Sequence, residues 1–116
     1  MLEREVYDTI TYCANEKCAI VWVTLDMLKS LNIGEDEIEG LASIPRQIEG
    51  VLIGITMKEK EGGFFKISVR TNGDIDAAKF CSKFGGGGHK AAAGCSINGS
   101  LEDVRSQLIK AAEETL

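Results

Sequence analysis

Val51 to Lys58 reads VLIGITMK, a nearly unbroken apolar run. After a turn at Glu59 to Gly63 comes Phe64 to Thr71, where Phe65, Ile67 and Val69 alternate with Lys66, Ser68 and Arg70. An apolar run without alternation marks a strand covered on both faces. Alternation marks a strand that turns one face to a core. A central hairpin covered on both sides needs helices above and below it. The pattern predicts an α/β fold: one domain, with a mixed β-sheet and helices packed on its faces.

The flanking segments fit that plan. Residues 3–15 lack Gly and Pro and place Val6, Ile10 and Cys13 at helical spacing, which predicts a helix. Cys18 to Thr24 is a β-branched run and reads as a buried strand. Thr24 can cap a short helix through Leu31. Residues 35–44 read as another helix, which Pro45 should end by pushing Ile44 out of helical conformation. Asp74 or Asp76 caps a helix whose Ala77, Phe80, Cys81 and Phe84 form one stripe, and Gly85 stops it. Ala91 to Ile97 reads as a small-residue strand. Ser100 with Asp103 starts a last helix that turns Leu101, Val104, Leu108 and Ala112 inward. The expected order is α-β-α-α-β-β-α-β-α.

The 116 residues suit a single domain able to fold without staples. The apolar stretches are too short to cross a bilayer, and the acidic start, Glu3 to Glu5, predicts no signal peptide. Four cysteines in a chain that needs no bridges predict a reducing, cytoplasmic setting. The net charge is −5, opposite in sign to most nucleic-acid modules. The acids concentrate in residues 1–50, however, while residues 58–90 are net basic. A modest basic region on an acidic domain suits a small anionic ligand or a short strand, not a long duplex.

Phe84 to Cys95, FGGGGHKAAAGC, is the unusual segment. Four consecutive glycines are tolerated where backbone must approach something closely or take positive φ. Their N–H groups can converge on an anion. His89 and Lys90 follow, and Ala91 to Gly94 keep the next strand free of bulk. The segment is not a P-loop, because Lys90 follows His89 and precedes Ala91. It is not a dinucleotide fingerprint, because it closes a helix and opens a strand. A flexible turn with an incidental histidine is the plain alternative. The functional reading is a loop that offers backbone donors and an imidazole to a phosphate.

Arg70 is the second candidate. It shares a strand face with Ser68, and a guanidinium beside a hydroxyl can grip a phosphate or carboxylate. A surface arginine paired with a nearby acid is the alternative. No C-x-x-C pair exists to hold zinc, and no serine-nucleophile elbow is present. No metal ligand and no catalytic residue is assigned.

FGGGGHKAAAG, preceded by KISVRTNGDIDAAKF and IEGVLIGITMKEKEGG, resembles the DHH-associated domain, the C-terminal half of DHH-family phosphoesterases. The likeness is closest to the bacterial oligoribonuclease and 3′-phosphoadenosine 5′-phosphate phosphatase branch. It implies that residues 18–116 are a substrate-binding domain and that residues 1–17 end an interdomain linker helix. It further implies that Arg70, Gly86, Gly87, Gly88 and His89 hold the substrate's phosphate and nucleotide, with Ser68 and Lys90 as lesser contacts. In this family an N-terminal Asp-His-His domain binds two metal ions, usually manganese, that activate water. The chain has one histidine and no His-His pair, so it should be an excised domain without hydrolase activity of its own. The expected partners are that N-terminal domain and a short oligonucleotide or nucleotide phosphate, with no membrane. A related domain ends alanyl-tRNA synthetases, and that tRNA-binding module is the alternative.

Overall fold

The structure, a computed structural model, describes residues 8–31 and 44–116. They form a six-stranded sheet in the order β1-β2-β3-β4-β6-β5. The strands are β1 (Thr11–Cys13), β2 (Cys18–Val23), β3 (Ile53–Lys60), β4 (Phe64–Thr71), β5 (Gly87–Gly88) and β6 (Ala92–Asn98). Only β2 and β3 pair in parallel; the other pairs are antiparallel. A parallel neighbour demands a crossover, and the chain between Thr24 and Leu52 supplies it.

The central hairpin is as the apolar pattern predicts. Every β3 residue from Ile53 to Lys58 is buried, and β4 alternates, with Phe65, Ile67 and Val69 at or near zero exposure. Helix α1 (Leu25–Leu31) starts at Thr24, whose Oγ1 accepts from the Met27 N–H at 3.1 Å. Glu59 Oε1 accepts from the Leu25 N–H at 2.8 Å, which fastens the helix start to β3. Helix α2 (Ala77–Ser82) is capped by Asp76, which accepts from the Lys79 N–H. Helix α3 (Leu101–Thr115) is capped by Ser100, which accepts from the Asp103 N–H.

The core lies mainly on one face of the sheet. There Ile20, Ile55, Ile67, Val69 and Cys95 meet Phe80 and Cys81 of α2 and Val104, Leu108 and Ala112 of α3. Over β2 the second face carries a smaller cluster, Val21, Val23 and Ile44, packed with Met27 and Leu28. Helix α1 and Ile44 therefore cover the second face at one side of the sheet.

Three expectations need correction. In the described part of the 3–15 segment there is no helix: Thr11–Cys13 is an edge strand paired with Cys18–Ile20. Ala14, Asn15 and Glu16 all take positive φ (52°, 57° and 64°), a left-handed turn that local spacing does not reveal. Ile44 keeps helical angles (φ −57°, ψ −51°), and Pro45 opens a 3-10 turn, Pro45–Gln47, where its missing N–H costs nothing. The rest of the predicted 35–44 helix lies outside the described residues. Finally, the glycine segment is not an irregular loop, because Gly87–Gly88 pairs with β6.

Candidate functional site

The register of the sheet brings the candidate residues together. Arg70 pairs with Gly54 on one side and Ala92 on the other. His89 N–H donates to the Ala92 carbonyl at 2.8 Å, and Ala92 N–H donates back to His89 at 3.3 Å. Gly54, Arg70, Ala92 and His89 thus form one cross-strand row, whose side chains share the second face of the sheet. The next row is Thr56, Ser68, Gly94 and Gly87. The following row is Lys58, Lys66 and Ser96. Over β4, β6 and β5 this face is open: Ser68, Arg70, Ala92 and Gly94 are half-buried, and Lys66, Gly87, His89 and Ser96 are exposed.

The two-residue turn Lys90-Ala91 that carries His89 is fastened from behind. The Thr71 hydroxyl shares its one proton between the Ile75 carbonyl at 2.8 Å and the Lys90 carbonyl at 3.1 Å. Thr71 N–H donates to Ala91 at 3.0 Å, and Ala77 N–H donates to the Lys90 carbonyl at 2.6 Å. Thr71 is buried at 4% exposure and sets the turn relative to β4 and α2. Sequence reasoning missed it; its position as the last residue of the alternating strand, just before Asn72-Gly73, was the available signal. Lys90 itself is exposed at the tip of the turn, outside the Arg70 row.

The glycines divide by function. A Cβ on Gly86 would collide with the Gly94 carbonyl and sit 2.6 Å from Cys95 Cβ. A Cβ on Gly88 (φ +153°) would lie 2.7 Å from Ala93 Cα. Both are glycine because β6 passes against them. At Gly87 a Cβ would meet nothing within 4 Å, and its row places that space on the open face. The expected convergence of donors is reduced, because Gly86 N–H is spent on the Cys81 carbonyl at 3.0 Å and His89 N–H on Ala92.

All four cysteines are free. They form two thiol pairs, Cys13 with Cys18 and Cys81 with Cys95. A hydrogen bond from Cys18 pulls the half-buried Cys13 thiol below its ordinary pKa, against the opposing effect of burial. Cys81 is pushed up by its hydrogen bond to Cys95 and by burial, and Cys95 is lowered by the same bond. The Cys81–Cys95 contact joins α2 to β6 beneath the glycine segment. No three of His, Cys, Asp and Glu converge among the described residues, so these residues do not fit a manganese ion. No helix among them is long and apolar enough to cross a membrane.

Residues 15–116 match the DHHA1 domain family. The chain belongs to that family. Over 83 residues, 71% of the chain, it is 30% identical to the bifunctional oligoribonuclease and PAP phosphatase NrnA of Thermus thermophilus. It spans 25% of that protein's length. Among solved structures, an exopolyphosphatase-related protein from Bacteroides fragilis superposes with a TM-score of 0.85 over 97% of this chain and 34% of its own, at 23% identity. The C-Ala domain of Aquifex aeolicus alanyl-tRNA synthetase superposes at 0.57 over 84% of this chain and 90% of its own, at 16% identity. Those two likenesses concern the fold. In this DHHA1 domain the family match takes in β2 through α3, and with them every residue of the Arg70 and Ser68 rows.

Proposed function

We propose that this DHHA1 domain is the substrate-binding half of a DHH-family phosphoesterase and holds the phosphate of a nucleotide or short oligonucleotide. The observation that carries the reading is the row Arg70, Ala92, His89. Two side chains that can donate to a phosphate stand on one open face, separated only by a methyl group. Arg70 supplies a forked guanidinium, and His89 supplies an imidazole N–H. Ser68 adds a hydroxyl one row away, Lys90 adds long-range positive charge, and Gly87 leaves room for the ligand. Gly86 and Gly88 shape the segment.

Hydrolysis belongs, in this reading, to an N-terminal DHH domain of the parent chain, which carries the manganese. The chain ahead of β1 leads, in this reading, from that half into this one. The free thiols fit a reducing cytoplasm. The likeness to C-Ala favours a second reading as a tRNA-binding module, but the net charge of −5 argues against a long polyanion.

The test has two parts. In this chain, His89→Ala and Arg70→Lys should each weaken binding of adenosine 5′-monophosphate by about tenfold, the loss of one charge-assisted hydrogen bond. In the full-length parent, the same changes should lower kcat/KM and leave manganese content unchanged. Unchanged binding and kcat/KM in both variants would remove these residues from the site. Tighter binding of whole tRNA than of short nucleotides would favour the C-Ala reading instead.

A further inference from the structure

Cys13 and Cys18 face each other across the β1–β2 ladder as a directly opposed antiparallel pair. Such residues have Cα atoms about 4.5 or 5.5 Å apart and point their side chains to one face. A disulfide takes Cα atoms about 4.4–6.8 Å apart, so the bond can close without moving either strand. The two sulfurs already share a hydrogen bond, and both thiols are free.

The two legs of this hairpin differ. Cys18 has 0% exposure on a strand paired with β3, and the Lys17 carbonyl before it accepts from the Leu52 and Ile53 N–H groups at 2.7 and 3.1 Å. Cys13 is half-buried and ends an edge strand held to the sheet by three paired residues. A groove of about 320 Å³, lined by Ala14, Asn15, Lys17, Glu113 and Leu116, opens at the turn between them. A reagent from solvent therefore meets Cys13 first. The hydrogen bond from Cys18 favours the Cys13 thiolate, against burial and the Glu113 carboxylate of α3. Cys81 and Cys95 also touch, but both are buried (0% and 8% exposure) and lack that access.

We propose that Cys13 and Cys18 form a reversible oxidation site, a dithiol that a small disulfide such as glutathione disulfide converts into a cross-strand disulfide tying β1 to the sheet. The site is independent of the Arg70–His89 reading. The Cys13 thiolate attacks one sulfur of glutathione disulfide, a Cys13–glutathione bond forms, and one glutathione thiolate leaves. Cys18 is held protonated first by its hydrogen bond to Cys13 and then by burial, and capping Cys13 removes the first cause. Cys18 then gives its proton to solvent and attacks the Cys13 sulfur, and the second glutathione thiolate leaves. Two protein thiols are oxidised, and one glutathione disulfide is reduced to two glutathiones.

The test is incubation of the native chain with glutathione disulfide, blocking with iodoacetamide, and peptide mapping without reduction. Trypsin cuts after Arg4, Lys17 and Lys29, so residues 5–17 and 18–29 separate unless the disulfide joins them. The joined pair should appear, Cys81 and Cys95 should stay reduced, and dithiothreitol should restore the free thiols. Cys18→Ala should stop at glutathione on Cys13, and Cys13→Ala should take up none. Backbone amide exchange at Thr11 to Cys13 should slow in the oxidised wild type. The site is overturned if the two peptides do not join, if Cys81 and Cys95 join first, or if wild type keeps glutathione on Cys13 as its end product. Unchanged exchange at Thr11 to Cys13 overturns the tether. These outcomes are read on wild type, so they hold even where a variant fails to fold.

Discussion

Arg70 and His89 lie in one row of the sheet, two strands apart, with Ala92 between them. Their backbones are about 10 Å from each other, two inter-strand spacings. A phosphate can sit over Ala92 and accept from both side chains only while that position stays small. Ala92→Leu should therefore lower nucleotide affinity by at least about tenfold, with the lost charge-assisted contacts setting the scale. Stability should stay within about 0.5–1 kcal/mol, since Ala92 is half-buried on the open face. Titration calorimetry with a mononucleotide, beside a denaturant melt, checks both. Full affinity with leucine at this position would show that the ligand does not lie between the two residues.

The three glycines should respond differently to alanine. Gly86→Ala and Gly88→Ala drive a methyl into β6 and should each cost about 2–3 kcal/mol of stability. Gly87→Ala should be neutral or stabilising by up to about 1 kcal/mol, because its Cβ meets nothing and the unfolded chain loses freedom. It should still weaken ligand binding, because the methyl enters the open face. A Gly87→Ala protein that binds as wild type does would make that glycine incidental.

Thr56 shares a row with Ser68, and its buried Oγ1 has no hydrogen-bond partner among the described residues. A desolvated hydroxyl with no partner is a cost that an isosteric methyl removes. Thr56→Val should raise stability by about 1 kcal/mol, read from the denaturation midpoint at constant m. A lower midpoint would mean that the hydroxyl has a partner in solution.

Cys13 should be the first thiol to react. It is half-buried, whereas Cys18, Cys81 and Cys95 are buried. The hydrogen bond from Cys18 favours the Cys13 thiolate, the nucleophilic form. Its alkylation by iodoacetamide should therefore rise with pH and reach half its limit below the pH of an ordinary cysteine. Mass spectrometry of the native protein should find one label at Cys13, and Cys18→Ala should shift the profile upward. Labelling of Cys81 before Cys13 would contradict this order.

What could be read from the linear sequence was whatever local chemistry settles by itself. The β3–β4 hairpin was legible because periodicity and burial agree there over eight residues in each strand. The helix starts at Thr24 and Ser100 were legible because a cap acts within three residues, while for the middle helix the structure chose Asp76 over Asp74. The close approach at the glycine run was legible because successive glycines cost entropy unless backbone must pass close by, and Gly86 and Gly88 do meet β6.

Two strands were not legible. Thr11–Cys13 is a strand because Cys18–Ile20 offers it a ladder, and Gly87–Gly88 is one because Gly94 and Ala93 do. Gly87–Gly88 has no strand propensity of its own, and pairing is a tertiary event; Thr11 and Tyr12 do favour strands, but the helical spacing of Val6, Ile10 and Cys13 masked that signal. The division of labour among the glycines is likewise invisible in the string GGGG. Gly86 and Gly88 touch β6, while Gly87 faces the open side, and only the approach of another strand distinguishes them. The sequence by itself determined the α/β class, the caps and the residues rich in chemistry. Only the tertiary structure decided that Arg70 and His89, 19 positions apart in the chain, share one face. Strand register, set by hydrogen bonds between segments distant in sequence, assigns every side chain to one face or the other.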